Sequence, residues 1–141
     1  MQQYAASIGF RLQQTANLLA KESDQILQEQ LGIGMSQLRI LNIVQSGSPL
    51  LQRQIAKALN QTEASISRQV KLLHRRQLLV TRLNPKDRRE HVTSLTPKGL
   101  RLIGAALGVL QAFQTPLTSS LSDKQQIEFL DMLDKIEHSI I

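Results

Sequence analysis

No cysteine occurs anywhere in the 141 residues. That absence excludes disulfides, thiolate metal sites, cysteine nucleophiles and thiol redox sensing. Aromatics are scarce, with one tyrosine and three phenylalanines, so any ligand pocket would be aliphatic in character. No apolar run approaches the ~18–20 residues that a bilayer span needs. The start, MQQYAASIGFRLQQ, lacks the basic opening and continuous apolar stretch of a signal peptide. A cytoplasmic protein with no membrane partner is therefore expected. There is no glycine-rich phosphate loop, no repeat and no low-complexity segment. The three histidines, His74, His91 and His138, are scattered along the chain without serine–histidine–aspartate or paired-carboxylate spacing. Neither an enzyme nor a metal or cofactor site is expected from such a pattern.

What is present is charge of one sign in one place. Between Leu51 and Arg101 stand twelve Lys/Arg against three acids, a net of +9, while the rest of the chain carries −3. A basic middle between mildly acidic ends is the electrostatic footprint of a polyanion-binding module, provided a suitable scaffold carries it.

The pattern of apolar residues supplies that scaffold. Ile8, Leu12, Leu19 and Ile26 form a near-heptad stripe along a first helix of roughly 25 residues, which Gly32 and Gly34 end. Ser36 is placed to cap a second helix carrying Leu38, Leu41, Ile43 and Val44. A short helix follows from Leu51 to Leu59. Asn60-Gln61 then makes a turn, and Thr62 caps a helix that runs to about Arg76. Ile66, Val70 and Leu73 lie at i, i+4, i+7 and give that helix one buried stripe. Around that stripe stand Ser65, Ser67, Arg68, Lys71, Arg75 and Arg76, a set of hydroxyls and cations suited to a DNA groove. Leu78 to Leu83 and His91 to Leu95 read as two strands around the turn Asn84-Pro85-Lys86-Asp87, a hairpin with Lys86, Arg88 and Arg89 at its tip. Thr96 and Pro97 open a further helix that gives way near Thr115-Pro116. Ser122 to Gln125 is a capping-box start for a last one.

Helix, tight turn, helix and basic-tipped hairpin make the winged helix-turn-helix plan. The fold class expected is mainly α with a small β-hairpin wing, flanked by N- and C-terminal dimerisation helices. Gln54 to Leu59, Ala64-Ser65-Ile66-Ser67-Arg68, and Asn84 to Arg89 leading into Leu95-Thr96-Pro97-Lys98-Gly99 resemble the MarR (multiple antibiotic resistance) family of transcriptional regulators. An Asp-Arg-Arg turn followed six residues later by Leu-Thr-x-x-Gly is specific to that family, and the resemblance runs through the whole chain. It implies a single domain over residues 1–141, with a DNA-binding lobe at 36–99 and dimerisation helices at 1–30 and 100–141. Two departures stand out. Gln77 and Asn60 occupy positions where the family commonly has glycine, and a left-handed backbone at Gln77 would cost about 1 kcal/mol.

DNA geometry then assigns roles. Ser65, Ser67 and Arg68 are candidates for base edges or nearby phosphates, and Thr62, Lys71 and Arg75 for phosphates. The wing, with Lys86, Arg88 and Arg89, is expected to reach the adjacent minor groove, whose narrow A·T stretches attract arginine. By resemblance, one of Arg88 and Arg89 enters it while Asp87 pairs with an arginine to brace the tip. The surplus apolar stripes at both chain ends predict a homodimer. Its two recognition helices would stand roughly 34 Å apart, matching a palindromic operator in double-stranded DNA. The family also implies repression, relieved by a small lipophilic or anionic effector between the dimer helices and the lobe. Phe10, Leu12, Met35, Leu38, Arg39 and Arg53 are candidates to line its site. The competing reading is a non-specific architectural DNA binder without an effector, held by phosphate contacts alone.

Overall fold

The computed structural model describes residues 2–141, and the side chains of residues 7–141. The order of elements is α1 (Gln2–Leu31), α2 (Met35–Gly47), β1 (Leu50–Leu51), α3 (Gln52–Ala58), α4 (Glu63–Arg75), β2 (Leu79–Asn84), β3 (Asp87–Leu95), α5 (Pro97–Gln114) and α6 (Asp123–Ile140), with a 3-10 turn at Thr115–Thr118. Two compact units are distinguished, one ending at Val109 and one spanning Leu110–Ile141.

Three of the helix ends in the first unit are closed in left-handed backbone, each by a different residue. Gly32 at φ +66° ends α1, its amide donating to the Gln28 carbonyl. Asn60 at φ +52° ends α3, with Gln61 N–H bonded to the Ala56 carbonyl and Asn60 N–H to that of Lys57. Gln77 at φ +61° ends α4, with Leu78 N–H on the Leu73 carbonyl and Gln77 N–H on that of His74. The last two are Schellman motifs, which return two otherwise orphaned helix carbonyls to hydrogen bonding. At Gln77 the apolar contact that accompanies the motif is present in kind, since Leu73 and Leu78 are both buried.

These turns fold α2, α3 and α4 over a core of Leu38, Ile40, Leu41, Val44, Ile55, Ile66, Val70 and Leu73, joined by Leu27, Ile33, Leu78, Leu79 and Ile103. Each large side chain buried there contributes about 1.5–3 kcal/mol of transfer free energy. The sheet has β3 in the centre, antiparallel to β1 on one side and β2 on the other. The strand β1 is too short to leave a period in the sequence. Leu51, expected as helical, pairs with Val92, and α3 starts one residue later.

Ser36 is not the cap of α2. The helix begins at Met35 after Gly34, and the Met35 amide finds its acceptor in the Asp24 carboxylate of α1 at 2.8 Å. A side chain from another helix does the capping, which no local signal announces. Thr62 does cap α4, its Oγ1 accepting from Ser65 N–H at 3.1 Å. In the second unit Ser122 and Gln125 form the reciprocal capping box of α6, at 3.2 and 2.9 Å. No residue of α6 is buried. Among the described residues no helix is long and apolar enough to cross a membrane.

Candidate nucleic-acid interface

With Ile66, Val70 and Leu73 committed to the core, the spacing of α4 turns Arg68, Lys71 and Arg75 outward together, and all three are exposed. Ser67 sits at the edge of that face and is half-buried. It lines a cleft of about 340 Å³ with Gln52, Lys71, His74, Arg75 and His91, between the helix and the sheet.

On the opposite edge Ser65 is already occupied. Its hydroxyl donates to Gln61 Oε1 at 3.3 Å and accepts from Gln69 Nε2 at 3.4 Å, while Gln69 Nε2 also donates to Gln61 Oε1 at 3.2 Å. Sequence alone pointed to Ser65 but not to its two glutamine partners, which stand four residues before and after it.

The C-terminal end of α4 is fastened by residues of the Leu-Thr-x-x-Gly motif. Thr96 Oγ1 donates to the Gln77 carbonyl at 2.6 Å and accepts from Gly99 N–H at 3.0 Å. Lys98 Nζ donates to the Arg76 carbonyl at 2.9 Å. Gly99 is required because a Cβ there would overlap the Leu78 carbonyl oxygen. The Arg76 guanidinium reaches back to the last carbonyls of α1, Gly32 at 2.6 Å and Leu31 at 3.1 Å.

The wing differs from a plain hairpin. Its turn is only Pro85-Lys86, closed by Lys86 N–H on Asn84 Oδ1 at 3.1 Å, and β3 restarts at once with Asp87 opposite Asn84. The next ladder pair is Leu83 with His91, so Arg88, Arg89 and Glu90 form a three-residue bulge with no partner on β2. Bulges re-aim side chains, and here both arginines are exposed. Asp87 accepts from Arg89 three times, from its amide at 3.0 Å and from Nε and Nη2 at 3.1 Å each. These bonds hold the Asp87 carboxyl below the usual carboxylate range and raise the Arg89 guanidinium further. Even so paired, the Arg89 side chain is 90% exposed.

Sequence comparison matches the MarR family over residues 31–90, the stretch from the end of α1 into the wing bulge. Over those residues the chain is similar to the MarR family. The winged helix fold expected from the sequence is the one observed. The uncharacterized HTH-type transcriptional regulator YdgJ of Bacillus subtilis (strain 168) is 23% identical over 109 residues, 77% of this chain and 66% of YdgJ, just under two thirds of its length. The G34K mutant of Staphylococcus aureus MepR superposes with a TM-score of 0.82 at 25% identity, covering 94% of this chain and 98% of that one. A Staphylococcus aureus MepR–DNA complex superposes at 0.73 with 26% identity, covering 93% and 96%.

The candidate effector-site residues lie on α1, α2 and α3. Leu38 is core, 2% exposed. Arg53 is engaged elsewhere, its Nε 2.9 Å from Glu90 Oε1 in the wing. Phe10 stands exposed on α1, Leu12 and Met35 are half-buried, and Arg39 is exposed on α2. Among the described residues no group of three or more histidine, aspartate or glutamate side chains is placed to hold a metal ion.

Proposed function

We propose that this protein is a homodimeric repressor of MarR type that binds a palindromic operator through α4 and the wing, and that a small lipophilic or anionic effector releases it. The observation that carries the DNA contact is the coincidence of two exposed cationic features, the Arg68–Lys71–Arg75 face of α4 and the arginine bulge of the wing. In this reading Arg68 and Ser67 meet base edges in the major groove. Lys71, Arg75 and the Thr62 hydroxyl meet phosphate, as does Lys86 at the wing turn. Ser65 takes part only by exchanging its bond with Gln61 for one to DNA. Arg89 enters the minor groove, because Asp87 orients its guanidinium without hiding it, which lowers the ordering cost of binding. Arg88 lies alongside on the backbone.

The dimer rests on apolar surface. Ile8, Phe10 and Leu18 on α1 are exposed, and so are Ile127, Leu130 and Met132 on α6. Stripes of that kind need cover in water, and a second copy supplies it symmetrically. The lobe at 36–99 then reads DNA while 1–30 and 100–141 join the protomers.

The test is binding-site selection from a random duplex pool at ~0.15 M salt, where phosphate contacts alone hold weakly. An inverted repeat with half-sites one turn apart supports the proposal and supplies the DNA for effector screening. No consensus, with affinity collapsing as salt rises, favours a non-specific architectural binder.

A further inference from the structure

Glu90 is an acid directly after Arg88 and Arg89 in the wing, a place where negative charge opposes DNA. Both oxygens of its carboxylate are engaged. Oε1 meets Arg53 Nε at 2.9 Å, and Oε2 accepts from Asn84 Nδ2 at 3.1 Å. The first bond crosses from the wing bulge to α3, and the second crosses the base of the bulge to the last residue of β2. Glu90 is also the most shielded partner of the pair, 28% exposed against 59% for Arg53. The same residues line a cleft of about 110 Å³ together with Glu63 and Arg89. The bulge therefore carries two ion pairs side by side, Arg53–Glu90 and Asp87–Arg89. Without the first, the bulge would keep its bond to Asn84 but have no ion pair to α3.

We propose that Glu90 and Arg53 are positioning residues for the wing, fixing the Arg88–Arg89–Glu90 bulge against α3 so that wing readout of DNA is selective. The inference rests on the wing-to-minor-groove reading above. It also gives Glu90 a split signature. As a charge, it lowers affinity for any DNA; as an anchor, it raises discrimination between DNA shapes. Removing it should move those two quantities in opposite directions, whereas a carboxylate that only maintains the fold would change neither selectively.

The experiment has two arms. The cysteine-free chain accepts spin labels at Lys57→Cys on α3 and Lys86→Cys in the wing turn, and the distance distribution between them is measured without DNA. Binding is measured by fluorescence anisotropy on two duplexes of equal length, one A·T-rich and one G·C-rich. In Glu90→Gln and in Arg53→Gln the distance distribution should broaden. Preference for the A·T-rich duplex should fall about two- to fivefold, the scale of a partly exposed ion pair. Affinity of Glu90→Gln for the G·C-rich duplex should rise. The exchanged pair Arg53→Glu/Glu90→Arg should narrow the distribution again and recover the preference. An unchanged distribution in both single variants overturns the anchoring. A broadened distribution with A·T preference intact overturns the link to selectivity. Absence of any A·T preference in the unaltered protein refutes the minor-groove reading instead, and the distance arm still decides the anchor.

Discussion

Replacing Gln77 by glycine should stabilise the protein by about 0.5–1 kcal/mol. A residue with a Cβ pays roughly 1–2 kcal/mol to sit in left-handed helical backbone, and Gln77 is held there at φ +61°. The backbone has no route to relax. Gln77 N–H is bonded to His74, its carbonyl accepts from Thr96, and the next amide and carbonyl are bonded to Leu73 and Thr96. The side chain is exposed, so truncation removes little packing. Against the relief stands the extra freedom glycine gives the unfolded chain, about 0.4–1 kcal/mol. The difference corresponds to a rise of about 2–4 °C in Tm for a chain of this size. Urea and thermal unfolding at one fixed protein concentration would measure it, since association makes Tm concentration-dependent. Two comparisons isolate the cause. Gln77→Ala keeps the Cβ and should change little, and Asn60→Gly should gain less because asparagine tolerates this backbone. A neutral or destabilising Gln77→Gly with an unchanged urea slope would refute the strain argument.

Thr93 is fully buried in the central strand, and its Oγ1 has no hydrogen-bond partner. Thr93→Val should therefore stabilise by about 1 kcal/mol in urea unfolding, and a loss of stability would show that the hydroxyl is satisfied. Gly99→Ala forces a methyl onto the Leu78 carbonyl and should cost at least about 2 kcal/mol by the same assay. Arg68→Ala should reduce discrimination between a selected site and random DNA by ~1–3 kcal/mol if Arg68 reads a base edge; equal loss on both would reassign it to phosphate. Because Arg89 holds its carboxyl down, the Asp87–Arg89 brace should persist below the usual carboxylate range and open only as pH falls through the lowered value. A carboxyl carbon NMR titration of Asp87 with a midpoint at or above that of an unfolded aspartate would contradict it.

The helix α4 was legible because its signals are local. Thr62 announces the start, and Ile66, Val70 and Leu73 announce the face. The wing was legible in outline, since a Pro-containing turn between β-rich runs is strong punctuation. Its bulge was not, because register depends on which residue faces Asn84, and that is decided by a two-residue turn and the Glu90 contacts. Asp24 capping α2 and Arg53 beside Glu90 were illegible for one shared reason. Each pairs groups that are neighbours only after folding, and a side chain reports its type in sequence but not its partner. Arg53, a candidate for effector contact in the sequence, pairs in the fold with Glu90 of the wing.

The fastening of α4 is lopsided, and that has a mechanical consequence. Polar bonds from Arg76, Lys98 and Thr96 grip its root from two other helices and their approaches, whereas its tip is held by Thr62 and Gln61 from its own turn. Ile66, Val70 and Leu73 seat the helix in the core along its length, so it is held as one rod. A displacement carried along α1 and delivered at the root through Arg76 would tilt that rod rather than bend it. The residues proposed to read sequence would then change their aim with what happens at the far side of the lobe.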